Sequence, residues 1–166
     1  RKIAAEAVSY LFKKEPDKAQ SLVMEWLPDM DNWEICDTLA GYGFKPYIMN
    51  NPELIFMMAR SWIKSPSPLI RRFSLVCLVQ IAGIKEDDLD RFLSIVKNVM
   101  KDPDINVQKA ASWLLREITY KDPERVSGFL ALYVKSADPT TRNIIKDGSK
   151  KLPAAERAKL TSKNQA

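Results

Sequence analysis

The sequence contains no histidine. A Ser-His-Asp triad, a histidine general base and a histidine-ligated metal site are therefore excluded within these 166 residues. The sequence has only two cysteines, Cys36 and Cys77, and each lies in an apolar segment with helical spacing. Because no further cysteines accompany them, we expect two buried thiols in a reducing compartment rather than a disulfide or a metal site.

Long apolar runs and strand-like alternation are also missing. No segment approaches the ~18 apolar residues that a membrane-spanning helix requires, and no signal peptide is visible. No segment alternates apolar and polar residues with the two-residue period of a strand. The chain starts at Arg1 within a helical pattern, so we expect that N-terminal helices preceding Arg1 are missing.

The composition is that of a globular protein with a moderate positive charge. Hydrophobic residues make up 46% of the chain, which is enough to bury a core. Lysine and arginine number 26 against 21 aspartates and glutamates, which gives a net charge of +5. This charge permits a nucleic-acid partner but does not require one.

Apolar residues recur with helical spacing along the whole chain. We predict helices at 2–13, 17–27, 32–42, 52–64, 68–82, 86–101, 104–119, 123–135, 138–151 and 153–162. Five prolines are predicted near first helical turns, where their missing N–H costs nothing: Pro52, Pro68, Pro123, Pro139 and Pro153. Gly83 is expected to end a helix in the left-handed conformation. Residues 41–46 form the longest irregular segment.

The predicted helices form a repeat. Starts near 52, 86 and 123 alternate with starts near 68, 104 and 138, and each series advances by about 35 residues, the period of two-helix repeats. Such helix pairs bury their apolar faces by stacking, with the second helices along a concave surface. We therefore predict an all-α, superhelical stack of HEAT-like (ARM-type) repeats as one domain over 1–162, followed by a disordered tail at 163–166.

The helix predicted at 32–42 carries Trp33 and Asp37, which are four residues apart and so share one face. A tryptophan on a helix is most often part of the core, and Asp37 would then be an exposed edge residue. However, Ile35, Cys36 and Leu39 already supply an apolar set. An aspartate beside them is costly unless it is paired or faces a cleft.

Two later helices carry further candidates. Arg71 and Arg72 lie in the first turns of the helix that begins at Pro68, where they are either a solvated or salt-bridged pair or a phosphate-binding fork. Trp113 and Arg116 share one face of the next second helix. There, Trp113 is either core or ligand-facing, and Arg116 is either paired with Glu117 or nearby aspartates or directed at a ligand.

Five segments carry a resemblance to a known family: RKIAAEAVSYL, NWEICDTLAG, SPSPLIRRFSLVCLVQ, DPDINVQKAASWLLREI and TTRNIIKDGSKKL. In order and spacing they resemble the DNA alkylation repair family of HEAT-like glycosylases, the AlkD-like proteins. The fourth segment, with its V-x-K-A-x-x-W-x-L-R-E pattern, is the most specific. The similarity covers nearly the whole chain, although the N-terminal helices of the family, roughly two by repeat arithmetic, are absent before Arg1.

The resemblance implies a basic concave groove that binds double-stranded DNA and excises N3- or N7-alkylated purines without a metal or cofactor. It implies that Asp37 is the catalytic carboxylate and that Trp33 and Trp113 face the lesion. The implied DNA contacts are Arg72, Arg116, Lys109 and, less firmly, Arg71. A monomer in the cytoplasm, associated with the nucleoid, is expected.

The chemistry of these residue types is consistent with that role. Alkylation makes the purine cationic, and an aromatic face attracts such a cation by roughly 0.5–2 kcal/mol. A fixed carboxylate would stabilise the positive charge that develops on the sugar as the glycosidic bond breaks.

Two other functions remain open. A non-catalytic paralogue would bind DNA with a steep salt dependence and release no base. A HEAT-type scaffold would bind a protein partner and no DNA. The glycosylase hypothesis differs from both because it requires Trp33, Asp37, Arg72 and Trp113 on one concave face.

Overall fold

The computed structural model describes residues 2–83 and 88–162, and within these ranges the chain forms helices and turns without any β-strand. The predicted all-α class is confirmed. The described α-helices are α1 (Lys2–Lys14), α2 (Pro16–Trp26), α3 (Trp33–Thr38), α4 (Lys45–Asn50), α5 (Pro52–Trp62), α6 (Pro68–Ile81), α7 (Leu89–Val96), α8 (Ile105–Thr119), α9 (Pro123–Ala131), α10 (Pro139–Gly148) and α11 (Ala154–Ser162). The predicted helix start at 86 and the predicted tail at 163–166 lie outside the described residues.

The helix starts follow from local sequence signals. Pro52, Pro68, Pro123 and Pro139 each occupy the first position of a helix, as predicted. Most of the differences at helix ends are short 3-10 turns that continue an α-helix, namely Leu27–Asp29 after α2, Lys97–Val99 after α7 and Ser149–Lys151 after α10. Tightened last turns of this kind are common at helix termini.

The helix predicted at 32–42 is shorter than expected, and the segment expected to be irregular is helical. After α3 the chain makes a π-helical turn at Leu39–Gly43, in which the backbone N–H of Phe44 donates to the carbonyl of Leu39 over 2.7 Å. A π-turn inserts an extra residue and so rotates the side chains that follow. Here it accompanies full burial of Phe44, and α4 begins directly afterwards at Lys45.

The expectation that Gly83 adopts a left-handed conformation is wrong, because no described glycine has a positive φ. The left-handed residue at a helix C-terminus serves to satisfy the last carbonyl groups. The carbonyl of Gly83 itself accepts from Nζ of Lys121 over 2.9 Å. The sequence distance between these two residues conceals the contact.

The chain divides into two compact units, Arg1–Ile81 and Ala82–Ala166; one domain over 1–162 remains a prediction. In the first unit, α1 packs on α2 and the π-turn, and α6 packs on α3, α4 and α5. An aromatic cluster fills its centre. The Phe44 ring lies 4.9 Å from Tyr47 and 5.9 Å from Phe73, and Trp62 meets Phe73 edge-on at 5.4 Å.

The second unit is organised around α8, which packs on α7, α9 and α10, while α11 packs on α9. The buried side of α8 is mainly apolar, with Val107, Ala110, Ala111, Leu114, Leu115 and Ile118, and it also buries the polar residues Gln108, Ser112 and Thr119. Gly148 of α10 comes so close that a Cβ atom there would lie 2.8 Å from Cδ1 of Leu115. This close approach fixes α10 against α8 and leaves the other side of α8 for polar residues.

None of the described helices combines the length and the apolar character that crossing a membrane would require.

Candidate functional site

Helix α3 positions Trp33 and Asp37 through its cap and its buried side. The side chain of Asn32 caps the helix, with Oδ1 accepting from the backbone N–H of Ile35 over 3.0 Å. Cys36 is fully buried, and its Sγ donates to the carbonyl of Leu69 in α6 over 3.6 Å. Because α3 is held by this side against α6, Trp33 and Asp37 lie beside the start of α6.

Asp37 forms a two-pronged ion pair with Arg72 of α6. Nε of Arg72 donates to Oδ1 over 2.8 Å, and Nη2 donates to Oδ2 over 2.6 Å. The side chain of Arg72 is 7% exposed and that of Asp37 is 23% exposed. Two charge-assisted hydrogen bonds of this kind fix the orientation of the carboxylate relative to the guanidinium. Asp37 is therefore paired rather than a solvated edge residue, and it keeps one partly exposed side.

Trp33 completes the cluster from the solvent side. The guanidinium carbon of Arg72 lies 5.6 Å from the centroid of a Trp33 ring, within cation–π range. Trp33 is nevertheless 49% exposed, which is unusual for so large an apolar side chain. The indole is thus oriented by a buried cation while much of its surface faces solvent.

The two cysteines are buried and free, as predicted. Burial raises the pKa of the Cys36 thiol well above its usual value, the neighbouring Asp37 carboxylate raises it further, and Arg72 opposes the rise. Burial likewise raises the pKa of Cys77. Both side chains therefore act as packing groups and are poor nucleophiles.

Arg71 is directed elsewhere. Its Nη1 donates to the backbone carbonyls of Ser65 and Pro66, over 2.8 and 3.0 Å. These carbonyls belong to the connection between α5 and α6, which Arg71 closes over the start of α6. Two adjacent arginines thus have different partners, because successive residues on a helix point about 100° apart.

The second unit carries the remaining candidates on α8. Asp104 caps this helix, accepting from the backbone N–H groups of Asn106 and Val107 over 2.8 and 3.2 Å. Trp113 is half-buried, and its indole Nε1 donates to Oε1 of Glu117 over 3.1 Å. From the sequence, Glu117 was considered only as a partner for Arg116. Its four-residue spacing from Trp113 is the signal that could have indicated this hydrogen bond.

Arg116 and Lys109 lie along the same side of α8 as Trp113. Nη1 of Arg116 donates to the backbone carbonyl of Asp147 in α10 over 3.2 Å. Lys109 is exposed and lines a small cavity of about 250 Å³ between α8 and α10. Both predicted cations of the second unit therefore lie where α8 meets α10.

The first-unit cluster offers an oriented carboxylate, a buried guanidinium and an exposed indole. The indole can stack on a flat cation, and the carboxylate can stabilise positive charge that develops beside it. Among the residues that the structure describes, cysteine and acidic side chains form no group of three that could hold a metal ion. The roles assigned to the individual residues remain predictions.

Comparison with known proteins identifies the family. A family model described as DNA alkylation repair enzyme matches residues 1–152 of the 166. No curated protein and no solved structure matches the chain significantly. The matched range includes α3, α6, α8 and α10 and therefore every candidate residue described above. The chain belongs to the DNA alkylation repair enzyme family, and its function lies in the repair of alkylated DNA.

Proposed function

We propose that the protein is a DNA glycosylase that hydrolyses the N-glycosidic bond of N3- or N7-alkylated purines in duplex DNA. The observation that carries this proposal is the cluster of Trp33, Asp37 and Arg72, in which a bidentate ion pair orients a carboxylate beside an exposed indole. The family membership supports DNA as the substrate. We further propose that the helices form a HEAT-like stack with a basic concave groove.

The exposed ring of Trp33 is suited to contact the lesion. An N3- or N7-alkylated purine is a flat cation, and a tryptophan face attracts such a group by roughly 0.5–2 kcal/mol, depending on how far water is excluded. The 49% exposure of Trp33 leaves room for that contact without a change in the core. In our proposal Trp113 faces the lesion as well, with its indole N–H held by Glu117.

Asp37 is the proposed catalytic carboxylate. As the C1′–N bond breaks, its electron pair moves into the purine ring and neutralises the ring's positive charge, so the leaving base needs no general acid. Positive charge then develops at C1′ and the ring oxygen of the sugar, where a fixed carboxylate stabilises it. Water adds to C1′ on the side of Asp37 and gives up a proton to solvent.

Arg72 acts in this proposal chiefly as the residue that positions Asp37. The two hydrogen bonds that it donates to Asp37 are short, at 2.8 and 2.6 Å, and its side chain is almost fully buried. A carboxylate has about four lone-pair positions, so two bonds to a guanidinium leave others on the partly exposed side. The contacts with the DNA backbone are assigned to Arg116 and Lys109, with Arg72 and Arg71 as further candidates.

The proposal is tested by incubating the purified protein with methylated duplex DNA and measuring released bases by mass spectrometry. We expect release of N7-methylguanine and N3-methyladenine, with none of the unmodified purines released from matched unmethylated duplex. Salt-dependent duplex binding without base release would contradict glycosylase activity and favour a non-catalytic DNA-binding function. Absence of both would favour a protein-binding scaffold.

A further inference from the structure

A cavity in the second unit is strongly basic. It has a volume of about 850 Å³ and is lined by residues from the connection between α9 and α10, from α10 and the turn that follows it, and from α11. Four of the lining residues are cations, namely Lys135, Arg142, Lys146 and Arg157, and none is an aspartate or glutamate. A concave surface lined by charges of one sign focuses the electrostatic field and concentrates ions of the opposite sign.

The cations of this basic cavity are not neutralised by neighbouring carboxylates. Lys135, Arg142 and Lys146 are exposed and form no ion pair with any residue that the structure describes. Nearby lysines differ, since Lys150 pairs with Asp147 and Lys159 pairs with Glu156. The available acidic groups are thus already engaged, and the positive charge of the cavity faces solvent.

The four cations come from three segments: Lys135 from the connection between α9 and α10, Arg142 and Lys146 from α10, and Arg157 from α11. Arg142 and Lys146 are four residues apart and so share one face of α10. Helix α10 is held by buried Thr141, whose hydroxyl donates to the Met100 carbonyl over 2.9 Å. Arg157 is oriented by its Nη2, which donates to the carbonyl of Leu152 over 3.1 Å. Hydrogen bonds therefore hold helix α10 and the Arg157 side chain in place beside the cavity.

The basic cavity and the small cavity between α8 and α10 share one lining residue. Lys146 also lines the small cavity between α8 and α10, together with Lys109. Asp147, the next residue, supplies the carbonyl that Arg116 binds. Lys109, Lys146 and Arg157 therefore line two neighbouring cavities, and the small cavity also contains Asp147, which pairs with Lys150.

We propose that the basic cavity binds a phosphate group, and that this group belongs to the backbone of duplex DNA at a distance from the excised base. Guanidinium groups bind phosphate oxygens in bidentate fashion, and lysines add point charges. This inference rests on the proposed function, because it takes the duplex to be the ligand. A free phosphorylated molecule has the same chemistry, and the experiment separates the two sources.

The test compares two double variants with the same loss of charge. Arg142→Gln/Lys146→Gln removes two cations from the cavity, whereas Lys18→Gln/Lys97→Gln removes two exposed lysines that line neither this cavity nor the small one. Binding to an undamaged, fluorescently labelled duplex is measured by anisotropy between about 50 and 200 mM salt. We expect the slope of log K against log salt to become shallower by about 0.9 in the cavity variant, the value for the one phosphate contact proposed, and to stay unchanged in the control.

Equal slopes for the cavity variant, the control and the wild type would overturn the inference. A titration with inorganic phosphate, followed by NMR of labelled arginine side chains, provides the second arm. Phosphate binding at Arg142 with an unchanged duplex slope would overturn the assignment to DNA and indicate a free phosphorylated ligand. Thermal denaturation of each variant verifies that it is folded.

Failure of the phosphate-binding proposal can be distinguished from failure of the glycosylase proposal. The anisotropy measurement uses undamaged duplex and does not depend on catalysis. Wild-type binding with the expected slopes but no base release from methylated duplex would contradict the glycosylase proposal alone. A wild-type protein that binds no duplex would overturn both.

Discussion

Replacement of Asp37 by asparagine tests whether the ion pair with Arg72 holds the cluster together. The substitution keeps the size of the side chain and removes its charge. The buried Arg72 guanidinium, with its side chain 7% exposed, then loses a partner that accepts two hydrogen bonds of 2.8 and 2.6 Å. Loss of a fully buried ion-pair partner costs about 3–5 kcal/mol.

Two features of the site reduce that figure. The asparagine oxygen still accepts one of the two hydrogen bonds, and the 23% exposure of Asp37 lets water reach the other donor. We therefore expect Asp37→Asn to lower the free energy of unfolding by about 1–3 kcal/mol. Because native domains are stable by about 5–15 kcal/mol, the variant should remain folded.

The measurement is urea denaturation followed by tryptophan fluorescence. Glu34→Gln is the matched control, because it removes the same charge from an exposed position on α3, and it should change stability by less than about 0.5 kcal/mol. A double-mutant cycle with Arg72→Met then isolates the pair. Additivity of the Asp37→Asn and Arg72→Met effects within about 0.5 kcal/mol would refute the reasoning.

Three further predictions concern the exposed indole, the thiols and a helix cap. Trp33→Ala should weaken binding to duplex that contains an N7-methylated purine by roughly 10-fold, since a cation–π contact of about 1.4 kcal/mol corresponds to that factor, and an unchanged affinity would contradict the role of the ring. Cys36 and Cys77 should resist a thiol reagent at pH 8 until urea unfolds the protein, because burial raises both pKa values; rapid native-state labelling would contradict this. Hydrogen bonds from the Thr141 backbone lower the pKa of Asp138 below its ordinary value of 3.8, so its charge stabilises the fold above that pH and the benefit is lost on acidification. The stability difference between wild type and Asp138→Asn, measured by urea denaturation, should therefore shrink below about pH 4; a difference independent of pH would oppose this.

Sequence patterns predict those parts of the fold that depend on interactions between residues close together in the sequence. Proline positions and apolar spacing locate most helix starts within a few residues. The π-turn at Leu39–Gly43 was missed because its stabilisation comes from burial of Phe44 within the first unit, which no local pattern encodes. Gly83 was misassigned for a related reason, since its carbonyl is bound by the distant Lys121.

The candidate site was predictable in its residue types but not in its pairing. The four-residue spacing of Trp33 and Asp37 indicates a shared face, and the cost of burying Asp37 indicates a partner or a cleft. Which of Arg71 and Arg72 is that partner depends on how α6 is rotated against α3, and only the packing of the buried Cys36 side of α3 determines it. Arg71 instead closes the α5–α6 connection.

The basic cavity was not predicted from the sequence. Arg142 and Lys146 belong to the last of the five resembling segments, whereas Lys135 and Arg157 lie on either side of it. Their convergence depends on how α9, α10 and α11 pack. Charge counts along the chain give no sign of it, because acidic residues alternate with these cations and pair with other lysines.

The most direct test of the central claim is the single-turnover rate of N7-methylguanine release from duplex DNA by the wild type, Asp37→Asn and Glu34→Gln. Each rate is measured at a temperature where all three proteins are folded. We predict release by the wild type, an equal rate for Glu34→Gln, and a rate lower by roughly 100-fold or more for Asp37→Asn, the scale of losing one preorganised electrostatic contact. An Asp37→Asn rate equal to that of the wild type would contradict the assignment of Asp37 as the catalytic carboxylate.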